Sequence, residues 1–284
     1  MIQWYPGHMA KAKREIEARL KLVDIVFELI DARIPISSKN PMIDSIIKSK
    51  PRLVLMTKAD MADQRQNRQW KEYFQSKNMQ VLLIDSITKL NVNHIATETK
   101  RVLAKQIAQD KEKGLKDRSI RAMIVGIPNV GKSTLINSMV NKKAANVGDK
   151  PGVTKAQQWI NIAPGFDLLD TPGVLWPKFE DPKVGMHLAI TGAIKDLILP
   201  TEDVAIYAIK FLSEKYSRLL KEKYKIDDLN QDPIELISHI GRVRGALKTG
   251  GEVDYTKVYE LILHDIRNNK LGKITFDWCE YGNK

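Results

Sequence analysis

Cysteine is nearly absent. Cys279 stands alone among 284 residues, so no disulfide framework can hold the fold, and the usage fits a reducing, cytoplasmic compartment. Long apolar runs are missing as well. The best segment, Leu22 to Ile30, carries Asp24 and Glu28 and falls far short of the roughly 20 apolar residues that cross a bilayer. The start, Met1-Ile2-Gln3-Trp4-Tyr5-Pro6, has no apolar signal core. There is no internal repeat and no low-complexity tract. The sequence therefore predicts a soluble protein without a membrane partner, and its 43% hydrophobic content excludes a disordered, solvating chain.

Positive charge is abundant. Lysine plus arginine total 46 against 34 acidic residues, a formal net charge of +12. From residue 201 onward 14 basic residues balance 14 acidic ones, so the whole excess lies in the first 200. It concentrates in Lys11 to Lys21 and in Lys100 to Arg121, where eight basic residues face three acidic. Such segments suit polyanionic partners, nucleic acid above all, because phosphates bound by Lys and Arg release counterions.

Short β-branched runs alternate with helical patterns over the first 180 residues. Val23 to Ile30, Arg52 to Thr57, Gln80 to Ile84, Arg121 to Val125, Ala156 to Ile162 and Phe166 to Leu169 read as strands. Pro41 to Lys50, Met61 to Lys77 and a long stretch from Val92 to Lys113, stopped by Gly114, read as helices. The alternation predicts an α/β domain over 1–180, a mostly parallel sheet with helices on both faces. Beyond it, Val184 to Ile194, Asp203 to Lys221, Pro233 to Ile240 and Thr256 to Asn268 predict a small α-helical domain over 181–284.

The chemistry begins at residues 126–133, Gly-Ile-Pro-Asn-Val-Gly-Lys-Ser, which match GxxxxGK[ST] between a strand and a helix. Glycines let backbone N–H groups converge on phosphate oxygens, and the next helix adds its positive end. In such a phosphate loop the backbone of Asn129, Val130, Gly131, Lys132, Ser133 and Thr134 wraps the phosphates, Lys132 reaches the β- and γ-phosphates, and the Ser133 hydroxyl ligates Mg2+. A nucleoside triphosphate is the implied ligand.

Thr57-Lys58-Ala59-Asp60 closes the second strand. A carboxylate such as Asp60 accepts two hydrogen bonds from the N1–H and N2–H₂ edge of guanine, which adenine cannot supply, and Lys58 can lay its aliphatic stem along the base. Alone, TKAD also describes a strand ending in a polar turn. Asp170-Thr171-Pro172-Gly173 has the DxxG pattern, with Asp170 holding Mg2+ through water and the Gly173 N–H meeting the γ-phosphate. Thr154, in Pro151-Gly152-Val153-Thr154, is the candidate loop threonine for Mg2+, and Asp85-Ser86 matches the segment whose backbone contacts the guanine oxygen. In ordinary GTPases the phosphate loop comes first and the base motif near the end. Here the base motif and serine segment precede the other three elements, so the order is a circular permutation of a P-loop GTPase domain, permissible where domain termini lie close together.

In this order, with Trp4-Tyr5-Pro6-Gly7-His8-Met9, Asp31-Ala32-Arg33-Ile34-Pro35, Asn40-Pro41, GIPNVGKST and DTPGVLWPKF, the chain closely resembles the ribosome-biogenesis GTPase A (YlqF/YawG-type) proteins along nearly its whole length. The resemblance implies GTP hydrolysis coupled to late assembly of the large ribosomal subunit, with the large-subunit precursor (rRNA and ribosomal proteins) as partner and a C-terminal RNA-binding domain. It departs from the family at Thr57, where asparagine is usual, so that one pocket hydrogen bond worth about 1 kcal/mol is expected to weaken. Val174 stands where signalling GTPases place a water-orienting glutamine, and valine can orient nothing. The resemblance makes His8 a substitute catalytic candidate beside Lys132. Similar GTPases use the Asn129 position to bind K+ near the β- and γ-phosphates.

Because the DxxG element is last, nucleotide state is expected to reach the helical domain through Val174 to Pro182. Within that domain Lys215 to Lys225, Arg242, Arg244 and Lys248 are candidate RNA contacts. Two other readings compete with ribosome assembly. One is a guanine-nucleotide switch recruiting a non-ribosomal protein. The other is a P-loop ATPase or kinase in which TKAD is accidental.

Overall fold

The computed structural model describes residues 6–115, 118–140, 159–163, 165–171, 173–175, 179, 181–194 and 198–280, with side chains from residue 13 onward. Among the described residues one sheet forms from β1 (Ile25–Asp31), β2 (Arg52–Thr57), β3 (Gln80–Leu83), β4 (Ile120–Gly126), β5 (Trp159–Ala163) and β6 (Phe166–Leu169). The strand order is β3-β2-β1-β4-β6-β5. Every neighbour is parallel except the edge strand β5, which runs antiparallel to β6.

β1 is a continuous apolar run because it is a central parallel strand covered on both faces, and all seven of its residues are buried. Its alternate residues sort to opposite faces. Ile25, Phe27 and Leu29 join Leu53, Leu55 and Ile124 under Ile95, Leu135 and Ile136. These last three come from α4 (Ile95–Val102) and α6 (Lys132–Met139). On the other face Val26 and Met123 meet Ile16, Ile43 and Ile47, while Ile30, Val54 and Met56 meet Trp70 and Phe74. α1 (Pro6–Arg19), α2 (Pro41–Ile47) and α3 (Gln64–Ser76) supply these partners. Each such fully buried Leu, Ile or Phe stabilises the fold by about 1.5–3 kcal/mol. Glu28, the one charge in the middle of β1, is held by Arg52 at 2.8 Å.

Two expected long helices are broken, one by a local bond and one by a distant contact. The stretch from Val92 divides at Leu103 into α4 and α5 (Ala104–Glu112). There the Thr99 hydroxyl donates back to the Ile95 carbonyl at 2.7 Å, a bond that bends helices. The stretch from Asp203 divides at Tyr216, between α8 (Thr201–Lys215) and α9 (Ser217–Tyr224). Tyr216 leaves helical geometry with its buried hydroxyl accepting from the Thr275 N–H at 3.0 Å, so tertiary contacts override the helical pattern.

The remaining helices are α7 (Pro182–Ile190), α10 (Pro233–Val243) and α11 (Tyr255–Arg267). α7 and α10 each open with an aspartate cap followed by proline. After α11 the chain turns back onto the sheet unit. The Ile274 N–H donates to the Met61 carbonyl, and the Phe276 N–H to that of Arg33 at 2.7 Å. A buried network fastens this strap: Asp277 accepts from the Ser37 hydroxyl at 2.7 Å and pairs with His187 Nδ1 at 2.7 Å, and His187 Nε2 meets the Tyr207 hydroxyl.

Candidate functional site

The carboxyl ends of β1, β2, β4 and β6 lie at one edge of the sheet, where open α/β sheets bind ligands. β4 runs into the phosphate loop, and Gly131, at φ +106°, turns the loop into α6. Lys132 opens that helix, buried, with Nζ donating to the carbonyls of Ile127 at 2.8 Å and Gly126 at 3.2 Å. Burial pushes its pKa down to about 8, against the attraction of Asp170. Asp170 follows β6 and is buried in turn. Burial raises its pKa, with the Lys132 charge opposing, and its Oδ1 has no hydrogen-bond partner among the described residues.

Gly173 crosses directly over the loop. A Cβ at this position would stand 2.8 Å from the backbone N and Cα of Pro128 and 3.0 Å from Lys132 Nζ. Its successor is clamped: the Val174 N–H donates to the Gly126 carbonyl at 3.1 Å, and the Val174 carbonyl accepts from Asn40 Nδ2 at 3.0 Å. Asn40 caps α2 with its other side-chain atom.

The base motif sits beside the loop and is bonded to it. The Thr57 hydroxyl donates to the Val130 carbonyl at 2.7 Å, with the Ile30 carbonyl 3.1 Å away. The short hydroxyl therefore makes a cross-link between base motif and phosphate loop. Lys58 Nζ bridges Asp31 Oδ2 and the Asn129 carbonyl, each at 2.9 Å, which anchors the far end of its stem. Ala59 is buried and bonds the Ile84 carbonyl at the end of β3. Asp60 has a buried Oδ1 without a partner among the described residues. Burial and the neighbouring Asp85 charge both raise its pKa. A carboxylate oxygen left unpaired in this way is costly unless a ligand donor meets it.

The Asp85 side chain is committed to its own turn. Its carboxylate accepts the N–H groups of Ile87 at 3.0 Å and Thr88 at 2.7 Å, and these bonds outweigh burial to lower its pKa. It shapes the turn that carries Ser86. Asn129, in the left-handed region at φ 55°, donates Nδ2 to the Gly192 carbonyl at 2.9 Å. Ser133 and Thr134 occupy the first turn of α6. His8 falls in α1, but its side chain lies outside the described residues, as does Thr154. No group of three or more His, Cys, Asp or Glu capable of holding a metal occurs among the described residues.

Asp31 and Arg33 went unassigned by motif reasoning. Asp31 receives Nε and Nη2 of Arg33 at 3.0 and 2.7 Å. Burial pushes its pKa up, but the Arg33 and Lys58 charges hold it well below the carboxylate range. The available signal was position: Asp31 ends β1, at the same sheet edge as Thr57 at the end of β2, and the two pair in register.

Base motif, phosphate loop and DxxG element thus surround one sheet edge in permuted chain order, the arrangement of a circularly permuted P-loop GTPase. Residues 121–239 match the family model described as 50S ribosome-binding GTPase. The chain is 51% identical to Ribosome biogenesis GTPase A of Bacillus pumilus over 97% of this chain and 98% of that one. It is 53% identical to the Priestia megaterium protein of the same name, over 97% and 96%. Among solved structures it is similar to GNP-bound YlqF from T. maritima, at TM-score 0.65 and 26% identity, covering 95% of this chain and 99% of that one. The chain belongs to the ribosome biogenesis GTPase A family: it hydrolyses GTP and serves ribosome assembly.

Proposed function

We propose that the protein binds the large-subunit precursor in its GTP state, promotes a late maturation step in the cytoplasm, and leaves after hydrolysis. The observation that carries this reading is the pair of bonds, Thr57 to Val130 and Lys58 to Asn129, that lock a guanine-reading segment onto a phosphate loop. The matched model's description and the relatives' names supply the partner, and the basic first 200 residues suit rRNA. No helix among the described residues is long and apolar enough to cross a membrane.

In this reading Asp60 takes the guanine edge, Ser86 and the Asp85 turn flank it, and Lys132 with the loop backbone from Asn129 to Thr134 holds the phosphates. The donor set fits Mg2+: the Ser133 hydroxyl is a hard oxygen ligand, the unpartnered Asp170 Oδ1 would hold the ion through water, and Thr154 would complete the set. When bound, the ion would neutralise phosphate charge. Lys132 stabilises the charge that develops as the γ-phosphoryl leaves. Asn129 would hold K+, and His8 would orient the attacking water that Val174 cannot. Loss of the γ-phosphate frees the Gly173 N–H and moves Val174, whose clamps to Gly126 and Asn40 pass the change toward the helical unit from 181 onward. That unit contacts RNA through exposed Arg242 and Lys248. Arg244 is partly committed to buried Asp265 at 3.0 Å, and Tyr216 and Tyr224 are core residues.

Co-sedimentation with large subunits tests the assignment. Association is expected with a non-hydrolysable GTP analogue and release with GDP. Nucleotide-independent behaviour, or no association, would favour a switch that recruits a non-ribosomal protein.

A further inference from the structure

The first helix of the helical unit ends against the nucleotide site. α7 stops at Ile190, leaving carbonyls without helical partners, as every helix C-terminus does. Side chains from three separate elements bond the carbonyls of residues 189–192, of which that of Ala189 also accepts the Gly192 N–H at 3.1 Å. Arg267 of α11 donates to the Ala189 carbonyl at 2.7 Å and the Ile190 carbonyl at 3.1 Å. Arg33, just past β1, donates Nη2 to the Thr191 carbonyl at 3.3 Å. Asn129, in the phosphate loop, donates to the Gly192 carbonyl.

These bonds close a ring. From the Thr191 carbonyl it runs through Arg33 to Asp31, from Asp31 to Lys58, from Lys58 Nζ to the Asn129 carbonyl, and from the Asn129 amide back to Gly192. Two cations meet the negative end of α7, where positive charge is favoured. Asp31 is enclosed between two positive groups. The Phe276 N–H of the C-terminal strap also bonds the Arg33 carbonyl, so Arg33 meets the helical unit by backbone and side chain alike. The ring is independent of the chain connection through Val174. Its members cannot shift singly without leaving a buried charge or carbonyl unpaired, and such networks tend to move as units.

We propose that Arg33 is a positioning residue for GTP turnover: through Asp31 and Lys58, and through the adjoining carbonyls of Thr191 and Gly192 that it and Asn129 hold just past α7, it fixes the phosphate loop according to where the helical unit sits. The proposal rests on the assignment of Asn129 and Lys58 to the nucleotide pocket. Reciprocally, nucleotide phosphates acting on Asn129 reach α7 through the same bonds.

The experiment compares Arg33→Lys and Arg33→Gln with the unsubstituted full chain, alone and combined with Asn129→Ala. Its readouts are GTP turnover, GDP affinity and deuterium exchange of amides 189–194 with a GTP analogue or GDP. Arg33→Lys keeps a cation on Asp31 but cannot serve both Asp31 oxygens and Thr191. It is expected to lower kcat about tenfold, the equivalent of one charge-assisted hydrogen bond, with GDP affinity changed much less. The nucleotide-dependent difference in exchange at 189–194 should vanish, and the double variant should be no worse than Asn129→Ala alone. A fall in thermal stability with kcat and the exchange difference intact would make Arg33 merely structural and overturn the proposal. Should the Arg33 variants fail to fold, Arg267→Gln releases the same helix end from outside the pocket. Loss of kcat there sustains the ring, and unchanged kcat overturns it. If Asn129→Ala turns over GTP normally, the pocket assignment itself fails and the proposal falls with it.

Discussion

The buried Lys132 ammonium makes GTP affinity depend on pH in a direction that can be worked out. Its pKa in the nucleotide-free protein lies at about 8, lowered by burial from an ordinary 10.5. At pH 7.0 about nine-tenths of the molecules carry the charge, and at pH 8.5 about one quarter. Only the charged form grips phosphate oxygens, so the apparent Kd for GTP is expected to rise about fourfold over that interval. The sign follows from linkage. Phosphate charges raise the lysine pKa in the complex, so binding takes up a proton and affinity falls as pH rises. Displacement of a fluorescent guanine nucleotide at a series of pH values measures this, and Lys132→Arg, whose charge persists across the range, is the control and should be flat. A flat profile in the unsubstituted protein, or an equal slope in Lys132→Arg, would refute the reasoning. The same depressed pKa means that charged Lys132 destabilises the nucleotide-free fold, so its stability should gain from this residue as pH rises from about 8 toward 10.5.

Two further substitutions bear on the site. Gly173→Ala places a Cβ against the Pro128 backbone at 2.8 Å; it should displace the phosphate loop and weaken GTP binding at least about tenfold, with little change in melting temperature, as measured by nucleotide titration and thermal unfolding. Thr57→Val removes the hydroxyl that reaches the Val130 carbonyl. The unpaired carbonyl costs about 1 kcal/mol or more, roughly a fivefold loss of GTP affinity, whereas Thr57→Ser should bind nearly as the unsubstituted protein does.

Most of the sheet was legible because its strands are buried and mostly parallel. Arg52 to Thr57 and Phe166 to Leu169 coincide with the observed strands, since buried runs bounded by polar turns leave little choice. Phosphate loop, base motif and DxxG element were legible for a chemical reason: phosphate and guanine recognition tolerate few residue types at fixed spacings. What stayed hidden depends on contacts between distant segments. Tyr216 breaks a helix because its hydroxyl is used by Thr275, and no local pattern encodes that. The carboxylate of Asp85 is occupied by the turn it builds, a local bond that the segment's match to a base-contacting backbone did not reveal. Asp31 and Arg33 look like an ordinary strand end until β1 and β2 pair and bring Lys58 to them.

The most direct measurement concerns Asp60 and the base it reads. Guanine offers donors to its carboxylate, whereas xanthine presents an oxygen in place of the exocyclic amine, so an amide at this position should prefer the second base. Competition among GTP, ATP and XTP for the unsubstituted protein and for Asp60→Asn should show GTP strongly preferred in the first and XTP in the second. Equal binding of ATP and GTP, or an unchanged preference in Asp60→Asn, would contradict the assignment of this carboxylate to guanine.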